Sequence, residues 1–232
     1  MELIWEGIKQ ALWLLLRGDP EVLGITWLSL KLSGLATGVS LLLGIPLGTA
    51  VGLARFPARN VVVSLINTGM ALPPVVVGLF VSIVLWRSGP LGFLELLYTP
   101  TAIVIAQFVI AFPVVTGLTM AAMQQIDPKL RLQLLGLGAT RAQLLRAFLR
   151  EARLPMLAAV MAGFGAVISE VGAVMMVGGN ILGYTRVLTT ATVLETGKGN
   201  FDLAIALSLI LLAIAFAINW GLTAFQQRGV RR

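Results

Sequence analysis

The chain has 232 residues, 58% of them hydrophobic and 12% charged, with mean hydropathy +0.94 and a formal net charge of +7. A soluble domain carries about 25% charged residues, so this chain cannot cover a water-facing surface and has lipid as its main solvent. With no Cys and no His, disulfides, thiolate or imidazole metal sites and the commonest general base are excluded.

Residues 1–17 carry Leu3, Ile4, Ile8, Leu12, Leu15 and Leu16 at helical spacing, with Glu2, Glu6, Lys9 and Gln10 elsewhere and Trp5 and Trp13 as interface-seeking aromatics. The pattern predicts an amphipathic segment, 1–24, on the outer membrane surface; the competing reading is a short sixth span. No cleaved signal is expected, because the apolar run 11–16 leads into Arg17-Gly18-Asp19-Pro20 without a small-residue cleavage site.

Five stretches are long and apolar enough to cross a bilayer: 25–54, 61–86, 102–123, 154–177 and 203–225. Gly44, Gly48 and Gly52, and before them Gly34 and Gly38, recur every four residues and suit close helix approach in lipid. Pro73-Pro74 and Pro113 interrupt the second and third stretches. Each is either a bend lining a pathway or a simple kink.

Eleven of the 17 basic residues lie in the 55–59 loop, the 124–153 block and the 226–232 tail, which share one side of a five-span topology. That side is cytoplasmic by the positive-inside rule, which puts the N-terminus outside and the C-terminus inside.

The 124–153 block reads as a two-helix elbow. Asp127-Pro128 starts a first helix, Gly136 and Gly138 stop it, and Thr140 with Gln143 forms a capping box for a second. Leu144, Leu145, Phe148 and Leu149 form one face of that second helix; Arg146, Arg150 and Arg153 form a basic stripe on another. The elbow is either a loop snorkelling its arginines into headgroups or a docking element for a soluble partner.

The stretch Leu132-Gln133-Leu134-Leu135-Gly136-Leu137-Gly138-Ala139-Thr140, followed by Arg141, resembles the coupling loop of type I ABC importer permeases. That signature reads Glu-Ala-Ala, three residues, Gly, then a segment ending in Leu-Pro. Gly138 matches the family glycine, whereas Leu132, Gln133 and Leu134 replace Glu-Ala-Ala and Leu154-Pro155 falls four residues late. A second stretch, Ser169-Glu170-Val171-Gly172-Ala173-Val174-Met175-Met176-Val177-Gly178-Gly179-Asn180-Ile181, is similar to tungstate-type permeases, with molybdate permeases as relatives.

The resemblance implies an all-α, polytopic membrane bundle: about five transmembrane helices, an amphipathic N-terminal helix and a cytoplasmic coupling helix. Residues 25–225 would form the transmembrane domain of a homodimeric importer subunit in the cell membrane. Its partners would be a second copy, ABC ATPase subunits, an external binding protein and the lipid bilayer, with no nucleic acid. ATP and Mg would be bound by the ATPase, leaving no cofactor, metal or catalytic residue here. The cargo would be an oxyanion, tungstate foremost, with molybdate, sulfate or phosphate as alternatives. A channel or scaffold would not need the capped elbow, and a membrane enzyme would need more intramembrane polar groups.

Ser169, Glu170 and Gly172 join Pro73, Pro74 and Pro113 as pathway or gate candidates. Glu170 is the one carboxylate well inside a span, where it needs a partner. It is either a gating residue or a buried structural acid. Gly179, Asn180 and Arg186 are candidates to face the binding protein; the alternative for Arg186 is a solvated loop residue.

Overall fold

The longest helix begins where the local chemistry demands it. Asp19 accepts the amides of Glu21 and Val22, both at 3.0 Å, and Pro20 occupies the first helical position. The computed structural model describes residues 2–230, and the regular structure among them is helical throughout. Arg231 and Arg232 of the basic tail lie outside the described residues, as do the side chains of Leu3, Ile4, Leu15 and Arg228.

The helices are α1 (Glu2–Arg17), α2 (Pro20–Leu53), α3 (Arg59–Met70), α4 (Pro74–Leu85), α5 (Pro100–Gln124), α6 (Pro128–Gly136), α7 (Arg141–Glu151), α8 (Arg153–Ile168), α9 (Gly172–Gly178), α10 (Leu188–Gly197) and α11 (Phe201–Val230). Three of them, α2, α5 and α11, are each long and apolar enough to cross a membrane. The pairs α3/α4, bent by 100°, and α7/α8, bent by 64°, bring the number to as many as five. The expected span 61–86 is thus two helices at a sharp angle, because Pro73 and Pro74 cannot continue the hydrogen-bond ladder. The expected span 154–177 is also broken, into α8 and α9, at Ser169-Glu170-Val171. Pro113, by contrast, lies within a continuous α5.

The centre is a parallel pair, α2 and α5. A Cβ on Gly44 would stand 2.9 Å from Val115 Cγ1, and one on Gly52 would stand 2.8 Å from Met123 Cβ. Between them, a Cβ on Gly48 would overlap the Thr116 carbonyl oxygen. The glycine stripe is what lets the two backbones touch. α8 runs antiparallel to α5, with Gly163 facing Val115 and, beyond the break, Gly178 facing Ile103.

α1 lays Gly7 against Ile205 and the Asp202 carbonyl of α11, and buries Ala11 and Leu14. Trp5 and Trp13 stay exposed, with Lys9 and Arg17 over their rings at 5.6 and 4.3 Å. α1 therefore has a protein neighbour at one end of α11, while its aromatic face stays open.

Candidate functional site

Three places gather the sequence candidates: the elbow at one end of the bundle, the paired helix breaks near its middle, and the segment that follows α9.

The elbow is made by local signals. Asp127 accepts the Lys129 amide at 2.8 Å to start α6, and Gln143 Oε1 accepts the Thr140 amide at 2.8 Å to start α7. At the joint, Gly138 has φ +77°, a left-handed conformation that glycine adopts without steric cost. The root of α7 is fixed by burial: Leu144 and Phe148 pack with Ala122 and Met123 of α5 and with Ala152. The tip is the reverse. Leu132 and Leu135 are exposed on α6 and Leu137, at the joint, is 83% exposed; Gln133, Gly138, Thr140 and Arg141 are exposed beside them, with Leu134 and Ala139 partly covered. Beneath the elbow lies a cavity of about 920 Å³ lined by Arg55, Arg59, Arg131 and Arg141, against the single carboxylate of Asp127.

The second place joins the two breaks. A Cβ on Gly172 would stand 2.7 Å from Val75 Cγ2, at the start of α4, and one on Gly78 would stand 2.6 Å from Ala173 Cα. On the other flank, a Cβ on Gly69 would stand 2.8 Å from Pro113 Cβ. Pro73-Pro74 and the 169–172 break therefore adjoin, while Pro113 packs against Gly69 of α3, one turn before Pro73. Glu170 is 9% exposed, and its Oε1 accepts the Ala173 amide at 2.9 Å, which caps the start of α9. Its backbone carbonyl accepts the Thr189 hydroxyl of α10 at 2.8 Å. Ser169 is exposed and its hydroxyl turns back to the Gly165 carbonyl at 2.8 Å.

Sequence reasoning missed Gln107. Its amide nitrogen, on α5, donates to the Val167 carbonyl at 3.0 Å and to Ser33 Oγ at 3.4 Å. The available signal was a lone amide in an otherwise apolar span, the type of residue that hydrogen-bonds across helices in lipid.

The segment after α9 is tied down by Thr185, whose hydroxyl donates to the Gly178 carbonyl at 2.6 Å and accepts the Ile181 amide at 2.9 Å. Gly179 and Asn180 both have positive φ and end α9. Gly179 is exposed, whereas the Asn180 side-chain oxygen is buried. Arg186 is not the solvated residue of the alternative reading: its side chain is 16% exposed and lies 3.6 Å from Glu21 of α2. At the end of α10, Glu195 accepts Asn200 Nδ2 at 2.8 Å and Lys198 Nζ at 2.7 Å. The Asn200 bond and then Lys198 hold its carboxyl below the ordinary value, against the opposing effect of burial.

The chain is thus a broken-helix membrane bundle with a firmly rooted elbow at one end. Residues 44–231 match the family model for the binding-protein-dependent transport system inner membrane component, and the chain belongs to that family. It is 41% identical over 227 residues to the tungstate uptake system permease protein TupB of Peptoclostridium acidaminophilum, covering 98% of this chain and 100% of that one. It is 43% identical over 203 residues to a probable anion ABC transporter permease protein of Haloferax volcanii, covering 85% and 88%. The molybdenum transport system permease protein ModB of Escherichia coli is 31% identical over 212 residues, covering 86% and 90%. The fold matches that of the inward-facing MetNI methionine ABC transporter, with TM-score 0.73 at 17% identity over 94% of this chain and 97% of that one.

The protein is therefore a multi-pass inner-membrane permease of a binding-protein-dependent ABC importer. It is not itself an enzyme; nucleotide binding and ATP hydrolysis belong to a separate ATPase subunit.

Proposed function

We propose that this permease carries an oxyanion, tungstate foremost, released into a central path by an external binding protein. The support for the cargo is the resemblance to tungstate permeases over nearly the whole chain, and the alternatives are molybdate, sulfate or a phosphate-type anion. Two copies form the path, with the α1 end outside and the elbow and C-terminus in the cytosol. The basic residues of the elbow, the 55–59 loop and the tail support that orientation. Gly179, Asn180 and Arg186, at the opposite end, belong to the region that meets the binding protein.

In this reading the elbow is the handle for the ATPase, with Leu132, Gln133, Leu134, Leu137, Gly138, Ala139, Thr140 and Arg141 as its contact residues. The observation that carries it is the contrast between a buried root, Leu144 and Phe148, and a tip with Leu137 83% exposed. An apolar tip of this kind, rimmed by polar groups, marks a protein-docking surface. ATP closes the ATPase pair and draws the two elbows together. The bundle yields at its paired breaks, Pro73-Pro74 and Ser169–Gly172 with Pro113 beside them, and access alternates. Glu170 serves as a cap that holds the break and not as an anion ligand, since an ionised carboxylate repels a dianion.

The test is Leu137→Asp. The variant bundle should insert and melt like the parent but fail to co-purify with its ATPase, and tungstate uptake should fall with it. Intact assembly and uptake would remove the docking role. Radiolabelled uptake by the assembled transporter, competed with molybdate and sulfate, ranks the cargoes.

A further inference from the structure

We propose that the flank of α2 opposite the elbow end binds the headgroup of an anionic phospholipid. A cavity of about 530 Å³ lies there between α2 and the 181–186 segment, lined by Trp27, Leu28, Lys31, Leu182, Tyr184 and Arg186 among others. Lys31 is exposed and has no hydrogen-bond or ion-pair partner among the described residues. Arg186 approaches Glu21 at 3.6 Å, while its Nε is buried without a hydrogen-bond partner. Arg186 is shared between Glu21 and, more distantly, Glu195, so Lys31 is the cation of this cavity left without a counter-charge.

The depth suits a headgroup. α2 and α5 run parallel with Gly44 against Val115, so Lys31 lies about 20 Å farther along α2, level with the first turns of α5. Trp27, one turn beyond Lys31, is 69% exposed, and Tyr184 is exposed beside it. Tryptophan and tyrosine at this level are the residues of the membrane–water boundary.

The surface on the other side of Lys31 suits acyl chains. Leu35, Val39 and Leu42 are exposed there. Gly34 and Gly38, whose Cβ positions meet nothing within 4 Å, leave a furrow along the same side of the helix. A soluble anion would gain nothing from this apolar slope, whereas a phospholipid uses both parts: phosphate on Lys31 and Arg186, chains along the furrow. Because the 181–186 segment leads into α10, and Thr189 holds Glu170, the headgroup would tie the membrane boundary to the element that braces the central break.

The experiment is native mass spectrometry of the full chain in detergent, titrated with phosphatidylglycerol, phosphatidylcholine or inorganic phosphate. The parent should retain phosphatidylglycerol in preference to phosphatidylcholine. Lys31→Gln should weaken that retention about fivefold, the effect expected of one cation near an anionic lipid surface. Since Arg186→Gln also removes a largely covered ion pair, Lys31→Gln is the deciding variant, with an unchanged melting curve in detergent as its control. Equal retention of the two lipids, undiminished preference in Lys31→Gln, or displacement of the lipid by millimolar inorganic phosphate would each overturn the proposal.

Discussion

The side-chain amide of Gln107 on α5 donates to the backbone carbonyl of Val167 on α8 at 3.0 Å, just before the chain breaks at Ser169-Glu170-Val171. A helix that ends at membrane depth leaves carbonyls that lipid cannot satisfy, so protein must do it. Gln107 supplies a donor at that point, and at 3% exposure it has no water to compete. Gln107→Leu should lower unfolding stability in detergent by about 1 kcal/mol, the upper part of the range for interhelical bonds in membranes. Unfolding titrations in mixed micelles measure it; a variant as stable as the parent would show that the Val167 carbonyl has another partner.

Glu170 makes an opposite demand on its substitutions. Its carboxylate oxygen accepts the Ala173 amide, a task a glutamine oxygen can also perform. Glu170→Gln should therefore keep assembly and most uptake, while Glu170→Ala should lose about 1 kcal/mol, the value of a helix cap, together with transport. If Glu170→Gln abolished uptake in a bundle that melts normally, the charge itself would be required and the capping role would be insufficient.

The elbow joint is testable through its backbone. Gly138 has φ +77°, and nothing lies within 4 Å of its Cβ position, so a side chain there costs conformation and not space. Gly138→Ala should destabilise the elbow by about 1–2 kcal/mol, whereas Gly138→Asn should cost less because asparagine tolerates the left-handed region. Hydrogen exchange of the α6 and α7 amides reads the difference, and ATPase activity stimulated by loaded binding protein should fall in the same order.

The elbow was legible in the sequence because its determinants are local. Asp127-Pro128, Thr140 with Gln143, and the glycine joint each act within a few residues and lie where expected. α10 was not legible: 188–197 holds Thr189, Thr190, Thr192 and Val193, a β-branched run with modest helix propensity. Its helix is maintained by the bundle. Ser29 of α2 accepts the Leu188 amide at 2.8 Å, and Thr189 reaches across to Glu170 at 2.8 Å. Those partners are remote in sequence, so no window along the chain contains them. The broken fourth span was hidden for a related reason, since its apolar pattern continues past Ser169-Glu170-Val171 while the backbone does not.

Glu195 gives a pH-dependent signature. Its carboxyl is held below the ordinary value of 4.5 by Asn200 and then by Lys198. A depressed folded-state pKa adds stability that is fully present above the unfolded value and disappears as pH falls through the folded value. Glu195→Gln should cost about 1–2 kcal/mol near neutral pH, in the range for hydrogen bonds to a charged group. The gap from the parent should close as pH drops below 4.5. Melting curves in detergent at several pH values check it; a gap independent of pH would mean that packing of the side chain, not its charge, sets the cost.

Two glycine stripes with the same spacing separate on substitution. Gly44, Gly48 and Gly52 face α5, and a Cβ on Gly48 would overlap the Thr116 carbonyl oxygen, a backbone atom that cannot rotate away. Gly34 and Gly38 have nothing within 4 Å. Gly48→Ala must part α2 from α5 or bend one of them, which should cost about 1–3 kcal/mol as overpacking does in tight interiors. Gly38→Ala adds a methyl to an open face and should change stability by no more than about 0.5 kcal/mol. Both stripes satisfy the same small-residue motif, so propensity alone predicts equal effects, and only contact with Thr116 predicts a difference. Parallel unfolding titrations of the two variants decide between them: equal losses would mean that the backbones of α2 and α5 are not in contact at Gly48.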